Sequence, residues 1–553
     1  MDITKKRAAL YVLLIIIMIL LIRIPSILWG GIYNEDEATS MLLGSKIVEG
    51  GILYKEAIDA RGPVTYYMYA LVQAFFGNYN VQAIHAFLTF LLLLITVLIF
   101  FLCSLISSRK AGCLAALFFG VFSFTYHSGS MLAFHTEWTL IFFSVMAVYC
   151  FIRAILFQRK IFIFLSGLSF SCAFFSKQPA LYDLLATLIF YCFYCFIERK
   201  RFLLFFKNIL LLLSGFFVFG LFWISFFWIN DAVADFYHYF WVRNVKYYVG
   251  TVPLLKKILW PILSIGGAGY FLKVNFLLLI GFIFSGLAFI KQIIVKKWGN
   301  KEIKNYTVLC VFLWGLFGYL GVSLGTRDFG HYYIQLLPPF CIASSIGLFY
   351  LYDLSNNIHN AKDKALLRWF ITVVIIIGLL LPMSTYLKDY LYRNRTIRNR
   401  FLGTFFQKIA ENENWKVAKK VIDYIKENST EKDSIFVWGH YPELYIWTQR
   451  KAASRFVYCE DQTGLIPWIN VAADLDTSDK IVPGAWGKLM DDLTRSKPLF
   501  IIDTAPSNHS YFSKYPIENY SLLNQFMKKY YELDKEIFKG NQMYYRLFKR
   551  KEK

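Results

Sequence analysis

Charge is scarce in this chain, and acid is scarcer than base. Asp, Glu, Lys and Arg make up 17% of the 553 residues, with 59 Lys and Arg against 37 Asp and Glu. A soluble domain usually carries about a quarter charged residues, so the shortage argues against an ordinary soluble fold. Cysteine offers no framework either. Eight of the nine lie in or beside apolar stretches (Cys103, Cys113, Cys150, Cys172, Cys192, Cys195, Cys310, Cys341), and Cys459 stands alone in the polar C-terminal region. The Cys192-x-x-Cys195 pair falls inside an apolar helix pattern and reads as packing. No internal repeat or low-complexity tract is visible, and the histidines match no zinc spacing.

What the chain has instead is apolar length: 57% hydrophobic and 19% aromatic residues, gathered into runs such as 10–22, 87–102 and 373–381. A hydrocarbon slab ~30 Å thick is crossed by ~20 mostly apolar residues in helix, because lipid satisfies no backbone polar group. The class is therefore an α-helical polytopic membrane protein. The run after Lys5, Lys6 and Arg7 has the flanks of a signal peptide, but it is longer than a signal core. It leads without a small-residue cleavage site into Trp29, so it reads as an uncleaved first span.

The net charge of +22 does not point to nucleic acid. The basic residues cluster at 5–7, 109–110, 159–160, 199–207, 291–304 and 362–368, in short loops where positive charge sets topology. Putting all six clusters in the cytoplasm gives about eleven spans, near 8–28, 81–106, 111–127, 138–157, 161–176, 179–197, 205–229, 272–290, 306–325, 332–352 and 369–387. The N-terminus is then inside and the C-terminus outside. Residues 1–387 form a transmembrane module, and 388–553 an extracytoplasmic α/β domain. In that domain the pattern predicts helices at 413–427, 484–496 and 519–531, strands at 434–438 and 499–503, and closing strands near 533–548. A basic patch, Arg393, Arg395, Arg398 and Arg400, sits where the last span exits and reads either as a lipid-phosphate contact or as a solvated face. All histidines except His359 fall on the outer side, so chemistry is expected there.

The first outer loop, 29–80, holds the most informative residues. Glu35, Asp36 and Glu37 stand together just above a span; further on come Asp59, Arg61, Gly62 and Pro63, then an aromatic amphipathic stretch, 63–77, suited to lying at the interface. Three acids also suit a helix N-terminus, where they complement the dipole.

The order of these elements resembles the GT-C membrane glycosyltransferases. The nearest branch is that of the protein O-mannosyltransferases and aminoarabinose transferases (glycosyltransferase family 39) with their bacterial relatives. The resemblance continues in His135-Thr136-Glu137, in Ser176-Lys177-Gln178-Pro179, in Arg327-Asp328-Phe329-Gly330-His331-Tyr332-Tyr333 before Pro338-Pro339, and in the tail at 437–445, Arg450 and Arg455-Phe456. It implies a GT-C fold and transfer of a sugar from a polyprenyl-phosphate donor to a cell-envelope acceptor. That acceptor would be lipopolysaccharide, another glycan, a lipid or a protein, met at the outer face of a bacterial inner membrane.

By this resemblance Asp36 is the base that takes the acceptor hydroxyl's proton, with Glu35 its local competitor and Glu37 structural. Glu137 is a second acid, which either acts in catalysis or orients a cation. Arg61, Lys177, Arg327 and His331 are the candidates for holding the leaving phosphate, whose growing charge needs fixed cations. Simpler roles exist for two of them: Lys177 snorkelling to the interface, and Arg327 pairing with Asp328. Asp59 and His135 are supporting candidates. Trp438, His440 and Tyr445 read as structural or acceptor-facing. A required divalent metal is not expected.

Two other readings remain. A flippase for lipid-linked glycans would show internal symmetry and mid-membrane acids, whereas here no repeat is seen and the acids cluster at one face. A glycan ligase or polymerase would carry its large outer loop between late spans rather than at the C-terminus.

Overall fold

Apolar runs with no water to satisfy their amides close their hydrogen bonds within helices, and helices dominate the computed structural model. The structure describes residues 5–125, 131–245, 253–263, 275–295, 304–324, 329–393, 413–467 and 469–552. His127, Arg327, Asp328 and the patch at Arg395, Arg398 and Arg400 lie outside them. Among the described residues eight helices are long and apolar enough to cross a membrane, and Lys160–Phe174 and Phe276–Ile290 are shorter apolar helices. Each of the eleven expected spans has a counterpart helix; that at 111–127 appears as Arg109–Thr125.

Neighbouring helices approach closely where side chains vanish. A β-carbon on Gly167 would collide with the backbone carbonyl of Leu212, and one on Gly215 with that of Phe164. The helices Lys160–Phe174 and Phe202–Ile229 therefore meet backbone to backbone, as small residues allow in membranes. The first span carries a buried arginine: Arg23 Nη2 donates to the carbonyls of Ser123 (2.9 Å) and Met131 (3.0 Å), tying that span to the end of the Arg109–Thr125 helix and to the segment that begins at Met131.

Between the first two spans lie two short helices, Glu35–Val48 and Pro63–Phe76. The second leaves Leu71, Phe75 and Phe76 exposed, the apolar face expected of an interfacial helix. The tail forms a five-stranded sheet from β1 (Ser434–Trp438), β2 (Lys451–Ala452), β3 (Phe500–Asp503), β4 (Tyr531–Lys539) and β5 (Gln542–Arg550), in the order β2-β1-β3-β5-β4. β1 pairs in parallel with β2 and β3, and the β4–β5 hairpin adds antiparallel to β3. The helices Glu413–Glu427, Ala485–Ser496 and Ser521–Tyr530 lie near where their amphipathic patterns put them. The helix Glu443–Thr448 and strand β2 were not legible, being too short for either period to show.

This tail is seated on the loop between the first two spans. The Ile58 amide donates to the Arg455 carbonyl at 3.1 Å, Tyr458 meets the Thr39 hydroxyl, and Lys46 Nζ donates to the Ser454 carbonyl at 2.7 Å. The segment after the Phe202–Ile229 span joins in: Arg243 pairs with Glu460 (2.7 Å) and with Asp461, and Lys488 with Asp235 (3.0 Å).

Candidate active site

Asn34 starts the acidic helix. Its backbone is extended, and its side-chain oxygen accepts the Asp36 amide at 2.7 Å, so Glu35, Asp36 and Glu37 fill the first turn facing the positive end of the helix dipole. One turn of helix then sends the three acids in three directions, and each meets a different environment.

Glu37 is fully buried. One oxygen lies 3.1 Å from His85 Nε2 and accepts the Phe134 amide at 3.0 Å; the other accepts the Tyr33 amide at 3.0 Å. Burial alone would raise this carboxyl, but His85 and the two amides hold it below its usual range. Its role is to fix the chain on both sides of the site: the next residue after Phe134 is His135.

Asp36 faces the site itself. Burial pushes its carboxyl up, yet the Arg61 guanidinium paired with it overrides that and holds it well below the usual carboxylate range, with help from His331 and His135. Its second oxygen lies 3.7 Å from His135 Nδ1 and 3.7 Å from His331 Nε2. The side chain keeps 22% of its surface exposed, so an incoming group has access to it.

Glu35 turns toward the tail, with a carboxyl oxygen 3.6 Å from His440 Nε2. Burial, reinforced by Glu443, Asp36 and Glu460, pushes it up to about 9. Its carboxyl is thus set apart from that of Asp36, whose shift runs the other way.

The remaining candidates form a line from the loop to the membrane. Arg61 Nη1 binds Asp59 at 3.1 Å, and Tyr66 donates its phenol to Asp59. The rings of His135 and His331 stack in parallel, 4.2 Å apart. His331 Nε2 lies 3.8 Å from Glu137, and Glu137 pairs with Lys177. The Lys177 ammonium also sits over the Tyr332 ring, 3.7 Å from its centre. Lys177 thus does not snorkel freely; it is bound on two sides. The structure brings together Asp36, Arg61, Asp59, His135, His331, Glu137 and Lys177, whereas Arg327 lies outside the described residues.

Two cavities meet here. One, of about 390 Å³, is bordered by Glu35, Asp36, Asp59, Arg61 and His331 on the loop side, and by Arg243, His440, Tyr458, Glu460 and Asp461 on the other. The second, of about 360 Å³, is mostly apolar: Phe174, Leu181, Tyr182, Phe240, Trp241 and Val322 line it, with Glu137, Lys177 and Gln335 at its polar end. Tyr332 borders both. Of the acceptor-facing possibilities only His440 reaches a cavity; Trp438 donates to the Tyr515 carbonyl and Tyr445 accepts the Val437 amide, both in the tail's core. Arg243, Glu460 and Asp461 went unnoticed in the sequence, since no periodicity or spacing ties them to the loop they face.

A ligand set for a metal also emerges. Ligand atoms of Asp36, His135 and His331 lie within 4.8 Å of one another. Two imidazoles and a carboxylate suit a divalent transition ion. The sequence hid this set because its members come from three separate segments.

Residues 60–228 match the family model described as dolichyl-phosphate-mannose-protein mannosyltransferase. No curated protein matches the chain. ArnT from Cupriavidus metallidurans, solved bound to undecaprenyl phosphate, superposes with a TM-score of 0.55 at 11% identity, over 99% of this chain and 98% of that one. The archaeal oligosaccharyltransferase AglB from Archaeoglobus fulgidus, in complex with an inhibitory peptide and a dolichol-phosphate, superposes with a TM-score of 0.51 at 10% identity, over 97% and 74%. The matched family and both structures are glycosyltransferases, and both structures hold a polyprenyl phosphate. The chain is a multi-pass membrane protein with the GT-C fold.

Proposed function

We propose that this GT-C-fold membrane protein transfers a sugar from a polyprenyl-phosphate carrier to a hydroxyl of a cell-envelope acceptor, with inversion at the anomeric carbon. The observation that carries the reading is a single juxtaposition. An accessible Asp36, paired with Arg61, borders a polar cavity that meets, at Tyr332, an apolar groove with Lys177 at its polar end.

In this reading the carrier's isoprenoid chain occupies the groove, its phosphate lies by Lys177, and the sugar projects toward Asp36. The acceptor oxygen attacks the anomeric carbon, the bond from that carbon to the phosphate oxygen breaks, and the acceptor's proton passes to Asp36. One displacement on the face opposite the leaving phosphate inverts the centre. The charge left on the carrier phosphate is met by Lys177, oriented by Glu137, and by Arg61, His331 and Arg327. Asp59 and Tyr66 hold Arg61 in place. The tail, with His440, Tyr458 and Glu460, forms the acceptor's wall.

We assign the reaction to the outer face of a bacterial inner membrane, with the N-terminus cytoplasmic and the tail outside. In this reading no metal is required, Arg61 supplying the positive charge beside Asp36. The test is to incubate purified protein with polyprenyl-phosphate sugars and acceptor glycans, and to follow release of carrier phosphate. Release coupled to a new glycosidic bond supports the reading. Movement of the lipid-linked glycan between leaflets without transfer would favour a flippase instead.

A further inference from the structure

One buried acid has no part in this chemistry. Asp183 lies one turn inside the Ala180–Ile197 span and is fully buried. Among the described residues no cation pairs with it. Its carboxylate accepts instead from the Ser144 hydroxyl at 2.7 Å and from Gln335 Nε2 at 2.9 Å. An acid within a span is costly unless it serves a purpose, and by default it marks function.

What Asp183 holds shows what that purpose is. The same Gln335 amide nitrogen also donates to the Pro179 carbonyl at 3.2 Å. Gln335 belongs to the short 3-10 helix Gly330–Leu336, which carries His331 and Tyr332. Pro179 belongs to the turn that carries Lys177. The amide of Gln335 is therefore pinned between the two segments whose side chains, Lys177 over Tyr332, form the polar end of the groove. Ser144 anchors the arrangement to a third helix, Thr136–Phe157, whose first turn carries Glu137.

We propose that Asp183 is a positioning residue for the carrier-phosphate site, setting through Gln335 the spacing between Lys177 and the His331–Tyr332 turn. The inference rests on the transferase reading for its ligand but makes its own claim about binding.

The experiment measures equilibrium binding of undecaprenyl phosphate to the purified full chain, alongside its thermal unfolding midpoint. Asp183→Leu and Gln335→Leu each break the Asp183–Gln335 hydrogen bond and leave the other partner buried and unpaired, and should weaken binding roughly tenfold or more. Asp183→Asn should rescue it, because its carbonyl accepts from Gln335 and its amide donates to the Ser144 oxygen. Gln335→Leu leaves a buried acceptor short of a donor and should lower the unfolding midpoint, so binding is measured where every variant is folded; combined with Lys177→Met it should weaken binding no further than Lys177→Met alone, since both act on one contact. Wild-type binding in both Leu variants would overturn the inference. So would loss of binding in Asp183→Asn, or full additivity with Lys177→Met. A wild type that binds the carrier but transfers no sugar would remove the transferase reading and leave this inference standing.

Discussion

The carbonyl oxygen of Phe175 fills the space that a β-carbon on Gly62 would need, and it accepts the Val64 amide at 3.1 Å. Arg61 precedes Gly62 and Lys177 follows Phe175 by two residues, so this one backbone contact sets how far the loop's cation stands from the span's cation. A side chain at position 62 has no room unless one backbone moves.

Gly62→Ala should therefore impair transfer although it changes no functional group. Forcing a methyl into a closed backbone contact costs about 1–3 kcal/mol of strain. That strain is relieved by parting the Arg61 loop from the Lys177 turn, which raises the donor KM and lowers kcat. Steady-state kinetics with a polyprenyl-phosphate sugar measures both.

The Arg61–Asp36 pair predicts a pH effect with a definite sign. Arg61 holds the Asp36 carboxyl well below its usual range against the upward push of burial, so the wild-type base stays ionised through the whole mildly acidic range. In Arg61→Leu burial acts unopposed by that cation and the carboxyl rises. The acidic limb of kcat/KM against pH should then move to higher pH, so that the variant loses more activity at acidic than at alkaline pH. An unmoved limb would mean that Asp36 is not the group that titrates.

Lys177 and Glu137 should behave unequally. Lys177→Met removes a charge from the leaving phosphate, and by analogy with other fixed donors costs about 2–4 kcal/mol in kcat/KM. Glu137→Gln keeps the shape and frees the lysine, so its loss should be smaller. Comparing kcat/KM for the two variants separates a phosphate ligand from its orienter.

Much of this arrangement was legible in the sequence, and what was not has physical causes. Apolar length and the basic loops gave the spans, because lipid imposes one rule on every segment. The order of Asp36, Arg61, Glu137, Lys177 and His331 along the loops marked the residues that now converge. Yet the choice between Glu35 and Asp36 rested on resemblance, because the contacts that set the two apart leave no mark in the sequence: Arg61 pairs with Asp36 and Asp59, and Glu35 faces His440 and other acids. The wall made by Arg243, Glu460 and Asp461, and the lock at Asp183, join residues far apart in the chain, and such pairs leave no periodic trace.

Chelation tests the metal question. If Arg61 alone neutralises Asp36, exhaustive treatment with EDTA should leave the transfer rate unchanged, and added divalent ions should not raise it. If Asp36, His135 and His331 hold a required ion, activity should fall on chelation and return on adding back one metal.

The central claim is that Asp36 takes the acceptor's proton during transfer, and Asp36→Asn addresses it most directly. The side chain keeps its size and its place beside Arg61 but cannot accept a proton. Measured in one preparation, the variant should bind undecaprenyl phosphate with near wild-type affinity while kcat falls about 10²–10⁴-fold. A variant that transfers sugar at the wild-type rate would contradict the account.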